Sequence, residues 1–194
     1  MSADDVLRKD DWEVRNIDIA TASRLVELYH YARGCSNTAA YLHGLFRVGE
    51  WWDSGCCGVA WWLPPSPDAA KSVYPCDWRK VLGLSRLVIV PDMPRNACSF
   101  LIARSIRMID SGRWECLLTY ADEWQGHTGA IYRATNWEYL GQTKPRGVWV
   151  RNGVVVATKN GGAGRSRRRM LELGCEYVGK FAKHRFRKVI GDVR

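Results

Sequence analysis

The spacing of apolar residues in the first third of the chain predicts one helix followed by strands. From Ile19 onward, apolar side chains recur at the i, i+3, i+4 and i+7 positions of one helix face. Asp18 can cap the first turn of this helix, and Gly34 is expected to end it. Short apolar runs at residues 45–48 and 59–63 then favour two strands.

The middle of the chain alternates between strand and helix patterns. An apolar run covers residues 84–90, and residues 97–110 form an amphipathic helix pattern with Asn96 as the predicted N-cap. A second apolar strand at 114–120 and a second helix over about 127–138 follow. Strand, helix, strand and helix in this order predict an α/β fold.

A hairpin is the clearest feature of the last third. The dipeptide Asn152-Gly153 lies between two apolar runs, and both residues tolerate the positive φ that a type I′ turn requires. We also predict a flexible joint at 161–164, a short helix at 168–173 and a strand at 183–190. Residues 1–16 are polar and are expected to be peripheral.

Composition limits the class of protein. The chain has 194 residues, 46% hydrophobic and 25% charged, which is a globular composition for one domain. Its longest apolar run, residues 59–63, is far shorter than the roughly 20 residues of a membrane span, and its acidic start lacks a signal sequence. Seven scattered cysteines without a C-x-x-C pair are typical of reduced thiols. We therefore expect a cytoplasmic protein.

Positive charge is concentrated near the C-terminal end. The formal net charge is +9, and residues 159–194 hold 11 Lys and Arg against 3 Asp and Glu. We expect a nearly neutral catalytic body over 1–158 and a basic extension over 159–194 that packs on this body or continues it. Basic runs are usually solvated faces, but two runs with interleaved aromatic residues favour phosphate contacts with nucleic acid. The candidate DNA contacts are Arg165, Arg167, Arg168, Arg169, Lys183, Arg185, Arg187 and Lys188.

The turn that precedes the helix at 97–110 is a candidate anion site. Free backbone N–H groups and the helix dipole point the same way at such a turn, although many of these turns bind nothing. Arg95 adds a positive charge, and small residues follow it. The candidate residues for the anionic part of a cofactor are Arg95, Asn96, Ala97 and Ser99.

Side chains that can carry chemistry follow the strand at 114–120. Asp122 and His127 come at a strand end, where functional groups collect in open α/β sheets. Tyr132 ends the next helix; its hydroxyl could protonate a leaving group, or the ring could simply border the core. His30 and Tyr31 form a further polar group. A His/carboxylate metal site is an open alternative, but no two of these histidines stand at helix spacing, so its ligands are unknown.

Two pairs of adjacent tryptophans stand out among the ten in the chain. Trp61 and Trp62 fall in a predicted strand and are expected to pack in the core. Trp51 and Trp52, beside Asp53, have two equally weighted interpretations, namely core packing or stacking on an extruded base.

Several of these segments together resemble the phage Mom family of DNA-modifying proteins. The most specific segment is Gly126-His-Thr-Gly-Ala-Ile-Tyr-Arg-Ala-Thr-Asn-Trp137. The others are Leu84-Ser-Arg-Leu-Val, Asn96-Ala-Cys-Ser-Phe-Leu, Leu118-Thr-Tyr-Ala-Asp122, His30-Tyr31 and Lys183-His-Arg-Phe186. The resemblance covers about residues 25–190.

This resemblance implies a fold similar to the GNAT acyltransferases. Such a fold is α/β, with a mixed, mostly antiparallel central sheet flanked by helices, here continued by the basic extension. Tyr132–Trp137 resembles the Tyr-x-x-x-Gly-Phe ending of a GNAT helix, whereas Arg95-Asn-Ala-Cys-Ser99 replaces the usual glycine-rich loop. The implied cofactor is acetyl-coenzyme A or another activated donor, and iron has been suggested for the family.

The resemblance also implies a reaction. Mom proteins are associated with conversion of adenine in phage DNA to N6-carbamoylmethyladenine, which protects that DNA from host restriction enzymes, so the expected partner is double-stranded DNA in the host cytoplasm. We expect Asp122 to act as base or base-orienting carboxylate and Tyr132 as acid or donor-positioning hydroxyl. The other expected pocket residues are His30, Tyr31, Tyr120, His127 and Ser85.

Two other functions stay open at this point. The first is an ordinary GNAT acyltransferase that acts on a small amine, a protein or a tRNA. The second is a non-enzymatic DNA-binding protein on the same fold, although such a protein gains little from the polar set around Asp122.

Overall fold

The computed structural model describes residues 6–156, 159–160, 163–164 and 166–190, and its largest element is a seven-stranded sheet. In spatial order the strands are β1 (Trp12–Asn16), β2 (Tyr41–Arg47), β3 (Gly58–Leu63), β4 (Val81–Ile89), β5 (Cys116–Asp122), β12 (Lys183–Val189) and β6 (Glu138–Gln142). Five of the six neighbouring pairs are antiparallel, and only β4 and β5 run parallel. The predicted mixed, mostly antiparallel sheet is confirmed.

Helices cover both faces of this sheet. They are α1 (Ile19–Tyr29), α2 (Pro67–Lys71), α3 (Ala97–Arg107), α4 (Ala130–Ala134) and α5 (Arg167–Glu172). The apolar face of α1 packs with Phe46 and Trp61 on one side, whereas α3 packs with Leu45 and Trp62 on the other. Trp61 and Trp62 are fully buried, as predicted, because successive side chains of β3 enter opposite core layers.

Smaller sheets lie outside the large one. β11 (Glu176–Phe181), β7 (Arg146–Arg151) and β8 (Val154–Val155) form a three-stranded antiparallel sheet, and β9 (Lys159–Asn160) pairs with β10 (Ala163–Gly164). The predicted hairpin is confirmed, since Asn152 and Gly153 have φ values of 50° and 75°.

The parallel pair β4 and β5 separates after three residues. Val81–Gly83 pairs with Cys116–Leu118, and beyond this point the ladder between the two strands stops. The Thr119 hydroxyl donates to the Leu84 carbonyl across the start of the gap, at 3.3 Å. The strands therefore open a cleft towards their C-terminal ends, with one backbone edge of β4 unpaired along it.

Most predicted elements are present, with shifted ends. α1 begins at Ile19 and Asp18 caps it, accepting from Thr21 N at 2.7 Å, but the helix ends at Tyr29 because His30 is extended. The helix predicted over 127–138 is limited to α4, since Gly129 precedes it in the left-handed region and residues from Glu138 form β6.

Two further expectations were wrong. The segment 1–16 was expected to be peripheral, but its described part, residues 6–16, contributes β1 and buries Leu7 and Trp12. Asn96 stands before α3 but does not cap it with its side chain. Instead its Oδ1 accepts from Leu7 N at 2.6 Å and its Nδ2 donates to Leu7 O at 3.0 Å, so the amide fixes the N-terminal segment.

The boundary at residue 158 stays a prediction, and β12, from beyond it, lies between β5 and β6 of the large sheet. Arg165 and part of the expected joint at 161–164 lie outside the described residues. Within the described ranges, no helix has the length and apolar character to cross a membrane. All seven cysteines are free thiols.

Candidate active site

The carboxylate of Asp122 is the centre of the most polar constellation near the cleft. Asp122 ends β5, and its side chain is only 12% exposed. Its Oδ1 accepts from Trp124 N at 3.3 Å, which fixes the turn that follows the strand. Its Oδ2 accepts from the Tyr31 hydroxyl at 3.3 Å and is 2.8 Å from Lys183 Nζ on β12. Three separate elements therefore converge on one carboxylate.

Tyr31 reaches this carboxylate, with His30 beside it, because α1 ends just before them. Their rings stack at 4.3 Å, and His127 meets the Tyr31 ring edge-on at 5.9 Å. His30 Nδ1 accepts from Ala32 N at 3.1 Å, so the neutral ring carries its proton on Nε2. Burial, reinforced by the nearby Arg86 charge, lowers the pKa of His30 to about 4. The ring is therefore a neutral hydrogen-bond donor at neutral pH.

The ionisation of Tyr31 is also controlled by its surroundings. Burial is the main reason that the pKa of Tyr31 lies above its ordinary value, and the Asp122 carboxylate raises it further. Tyr31 therefore stays protonated and donates to Asp122. This hydrogen bond holds one oxygen of the carboxylate in a fixed direction.

The cleft between β4 and β5 contains a pocket of about 270 Å³, here called the β4 cleft. His30, Tyr31 and His127 form its polar wall, and Leu87–Ile89 of β4 forms the opposite wall. Because β5 has left the ladder at this point, the β4 backbone offers hydrogen-bonding groups to an extended ligand.

The far end of β4 leads to the predicted anion turn. Arg95 is exposed, and the first-turn amides of Cys98 and Ser99 have no hydrogen-bond partner in the part of the chain that the structure describes. Ser99 Oγ donates to Asn96 O, and Ala97 N donates to Pro94 O. Arg95 and these two amides could together bind the phosphates of a coenzyme A-type donor. The Asn96 side chain is hydrogen-bonded to the Leu7 backbone instead.

Tyr132 lies deeper than the other predicted catalytic residues. It is 8% exposed and packs against Phe186 and Trp137, with ring centroids 5.3 and 5.7 Å away. Burial raises the pKa of Tyr132 to about 12, and its hydroxyl is near Thr119 at the start of the cleft. It is thus a core residue whose neutral hydroxyl lies near Thr119, where β4 and β5 separate.

A second cavity, of about 600 Å³ and here called the basic cavity, lies on the other side of Lys183. Tyr120 of β5 and Phe181 of β11 supply aromatic surface. Its cationic side chains are Lys144, Arg146, Lys183 and Arg185. Lys183 is therefore shared between the basic cavity and the Asp122 carboxylate.

The remaining predicted residues are spread over the molecule. Ser85 is exposed on β4 and its hydroxyl accepts from Arg86. Arg168 and Arg169, on the exposed α5 beside Arg167, pair with Glu172. Within the described residues, no group of three or more His, Cys, Asp or Glu could hold a metal ion, so we assign no iron ligands.

The cations of β12 are largely engaged within the protein. Arg187 pairs with Glu138 and donates to Val73 O, and Lys188 donates to the carbonyls of Thr135 and Asn136. Arg185 donates to Ser72 Oγ and Leu140 O. These side chains therefore tie β12 to its neighbours, which the basic pattern in the sequence did not show.

Sequence reasoning missed the partnership of Lys183 with Asp122, and it named Tyr120, Lys183 and Arg185 without placing them in one cavity. Lys144 and Arg146 stand in no recognisable motif, whereas Phe181 is one of the aromatic residues interleaved with the basic runs. They meet Tyr120 only because β12 inserts between β5 and β6. No local signal in the sequence encodes that insertion.

Comparison with solved structures identifies the fold. The ribosomal-protein-S18-alanine N-acetyltransferase of Escherichia coli matches 94% of this chain and 96% of its own with a TM-score of 0.59 and 9% identity. A GNAT family acetyltransferase from Elizabethkingia anophelis, solved with acetyl-CoA bound, matches 94% of this chain and all of its own with a TM-score of 0.55 and 10% identity. The protein has the GNAT acetyltransferase fold.

Comparison of sequences identifies the family. The methylcarbamoylase Mom of Escherichia phage Mu is 29% identical over an alignment of 161 residues, which covers 77% of this chain and 64% of that protein. This chain thus matches less than two thirds of the relative's length. The model of the Mom protein family matches residues 11–189. This chain therefore belongs to the Mom protein family.

Proposed function

We propose that this protein is a transferase that modifies the exocyclic amine of adenine in double-stranded DNA with a donor held in the β4 cleft. The observation that carries the proposal is the convergence of Tyr31 and Lys183 on Asp122, between the β4 cleft and the basic cavity. Group transfer needs a donor site and an acceptor site that meet at a polar group. Membership of the Mom family supports DNA as the acceptor.

The chemistry requires help for a weak nucleophile. The lone pair of the adenine amine is delocalised into the ring, so an N–H···O bond to a fixed carboxylate increases its availability. In this proposal Asp122 accepts the amine proton while the new C–N bond forms and the donor's leaving group departs with its electron pair. Tyr31 and Lys183 hold the carboxylate, and His30 Nε2–H and the Tyr132 hydroxyl are the available proton donors.

The residues around the β4 cleft fit an activated donor of the acetyl-CoA type. Arg95 and the Cys98 and Ser99 amides would hold its phosphates, and the β4 edge its extended arm. Such a donor supplies the electrophilic carbon. In the finer form of the proposal the product is N6-carbamoylmethyladenine, which protects phage DNA from restriction enzymes. That product has a CH₂ on the nitrogen, so transfer of a simple acetyl group alone does not form it.

The test is mass spectrometry of nucleosides from DNA of cells that express the protein. We expect a heavier deoxyadenosine with the wild type and its loss, by at least about 100-fold, with Asp122→Asn. Glu27→Gln, which removes one exposed carboxylate of α1, is the matched control and should modify DNA normally. Unmodified deoxyadenosine with folded wild-type protein would exclude the proposal.

A second candidate is N-acyl transfer to another amine, because structural neighbours with this fold carry acetyl-CoA. It predicts steady thioester consumption by DNA-free protein with a small amine, peptide or tRNA acceptor. The DNA-modification proposal instead predicts consumption that depends on duplex DNA.

A further inference from the structure

The basic cavity combines features that the Asp122 site does not explain. It is about 600 Å³, more than twice the 270 Å³ of the β4 cleft. Four cationic side chains line it, against one carboxylate, that of Asp68. An excess of cations in a concave site concentrates anionic ligands. The composition therefore indicates an anionic occupant.

Two of these cations are available to a ligand. Lys144 and Arg146 are exposed, and neither has an ion-pair partner within the described residues. Arg185 lines the cavity but is held by Ser72 Oγ and Leu140 O, and its buried Nε has no partner among the described residues. Arg185 and Arg146 are near enough to Tyr120 to oppose the rise that burial causes in its pKa. The guanidinium groups and the aromatic ring therefore border the same space.

The aromatic walls indicate that the occupant is not a bare anion. Tyr120 and Phe181 both line the basic cavity, and Phe181 is braced by Trp124 with ring centroids 6.5 Å apart. Aromatic side chains beside cations are the usual way to hold an unstacked base and its phosphate. Tyr120 is also two residues from Asp122 on the same face of β5.

We propose that the basic cavity is the acceptor site and holds the extruded target nucleotide, with its base against Tyr120 and Phe181 and its phosphate on Lys144, Arg146 and Arg185. This inference rests on the proposed function, because it takes DNA as the acceptor. Lys183 lines the cavity and is 2.8 Å from Asp122, so a base seated there would lie next to the carboxylate that accepts the amine proton in this proposal. The nucleotide and the donor then approach Asp122 from opposite sides.

The first experiment measures binding of deoxyadenosine 5′-monophosphate to the full chain by calorimetry. We expect it to bind at least ten times more tightly than inorganic phosphate. Arg146→Ala should weaken this binding at least tenfold, whereas Arg107→Ala, which removes an exposed arginine of α3, should leave it within twofold. No detectable nucleotide binding by the wild type, or equal binding by Arg146→Ala, would overturn the inference.

A steric variant tests the same space without a change of charge. Ala69 lines the basic cavity, and Ala69→Trp fills it, whereas Ala103→Trp places the same ring on the exposed surface of α3. We expect Ala69→Trp to lose nucleotide binding and DNA modification while duplex DNA still binds within threefold. Circular dichroism checks the fold of both variants, and Arg146→Ala decides the question if Ala69→Trp does not fold.

The two proposals fail in different ways. Full DNA modification by folded Ala69→Trp would overturn the acceptor site and leave the proposed function intact. Unmodified DNA with the wild type would exclude the proposed function, and nucleotide binding that Arg146→Ala abolishes would still support the site.

Discussion

At the residue scale, buried polar groups show which side chains the fold holds for chemistry and which for structure. His43, one of four histidines in the chain, is fully buried in β2, and its Nδ1 is 2.6 Å from Ser105 Oγ. Trp62 Nε1 donates to the same hydroxyl at 2.7 Å. His30, by contrast, borders the β4 cleft. Only the position in the fold distinguishes His30, beside a cleft, from His43, inside the core.

The burial of His43 predicts a loss of stability in acid. Burial lowers its pKa to about 4, below the 6.5 of an unfolded histidine, so the unfolded chain binds more protons between these values. The contribution of neutral His43 to the free energy of unfolding should be complete above pH 6.5. It should fall as the pH drops towards 4 and then stay constant at lower pH. The loss for His43 is about 3 kcal/mol. His43→Asn should reduce the dependence of Tm on pH between 6.5 and 4 but not abolish it, because the pKa of His30 is also lowered to about 4. An unchanged slope would contradict this account.

Tyr31 is expected to act as a positioning residue for Asp122. Tyr31→Phe removes the 3.3 Å hydrogen bond and should lower kcat for DNA modification by about 10- to 100-fold, since a bond to a charged group contributes roughly 1.5–3 kcal/mol. KM for DNA should change little. Tyr177→Phe, on the outer sheet, is the matched control. Single-turnover rates measure the effect, and a change confined to KM would count against a positioning role.

At the element scale, the start of α4 depends on the strand beneath it. Gly129 has a φ of 77°, and a Cβ there would collide with the ring of Phe186 on β12. Gly126 also has a positive φ, of 71°, but a Cβ there would meet nothing within 4 Å. Glycine is therefore needed at these two positions of the segment 126–137 for different reasons. Gly126 is needed for its backbone conformation alone, whereas Gly129 is needed also because a side chain there would meet Phe186.

This difference predicts unequal costs of the same substitution. Gly126→Ala should cost about 1–2 kcal/mol from the left-handed backbone alone. Gly129→Ala adds overpacking of roughly 1–3 kcal/mol against Phe186, so its total should reach about 2–5 kcal/mol. Urea unfolding of both variants measures the difference. Equal losses would mean that the loop moves away from β12 without cost.

At the scale of the whole molecule, the basic C-terminal residues have two separate roles. Arg187 and Lys188 on β12 hold the sheet together, whereas Arg167, Arg168 and Arg169 are exposed on α5. A truncation at Lys159 would remove β12 and leave β5 and β6 without a shared neighbour, so we expect it not to fold. Such a truncation therefore cannot report on DNA binding.

Substitution of α5 separates charge from folding. Changing Arg167, Arg168 and Arg169 to Gln should preserve Tm within a few degrees. It should also reduce the slope of log affinity for DNA against log salt by up to about 2.7, or about 0.9 for each phosphate that the protein no longer neutralises. Fluorescence anisotropy over a salt series measures this slope. An unchanged slope would assign the phosphate contacts to other residues.

The sequence by itself determined the local features: the start of α1, the strand β3, the hairpin at Asn152-Gly153 and the group of polar residues after β5. Periodicity, capping and turn chemistry act over a few residues, so these patterns can be recognised in the sequence without knowledge of the fold. The tertiary structure decided the position of β12 between β5 and β6, the pairing of Lys183 with Asp122 and the basic cavity. The physical reason is that a long-range strand pairing brings together residues about 60 positions apart, such as Asp122 and Lys183. A charge pattern alone does not distinguish a lysine that meets a phosphate from one that meets a carboxylate.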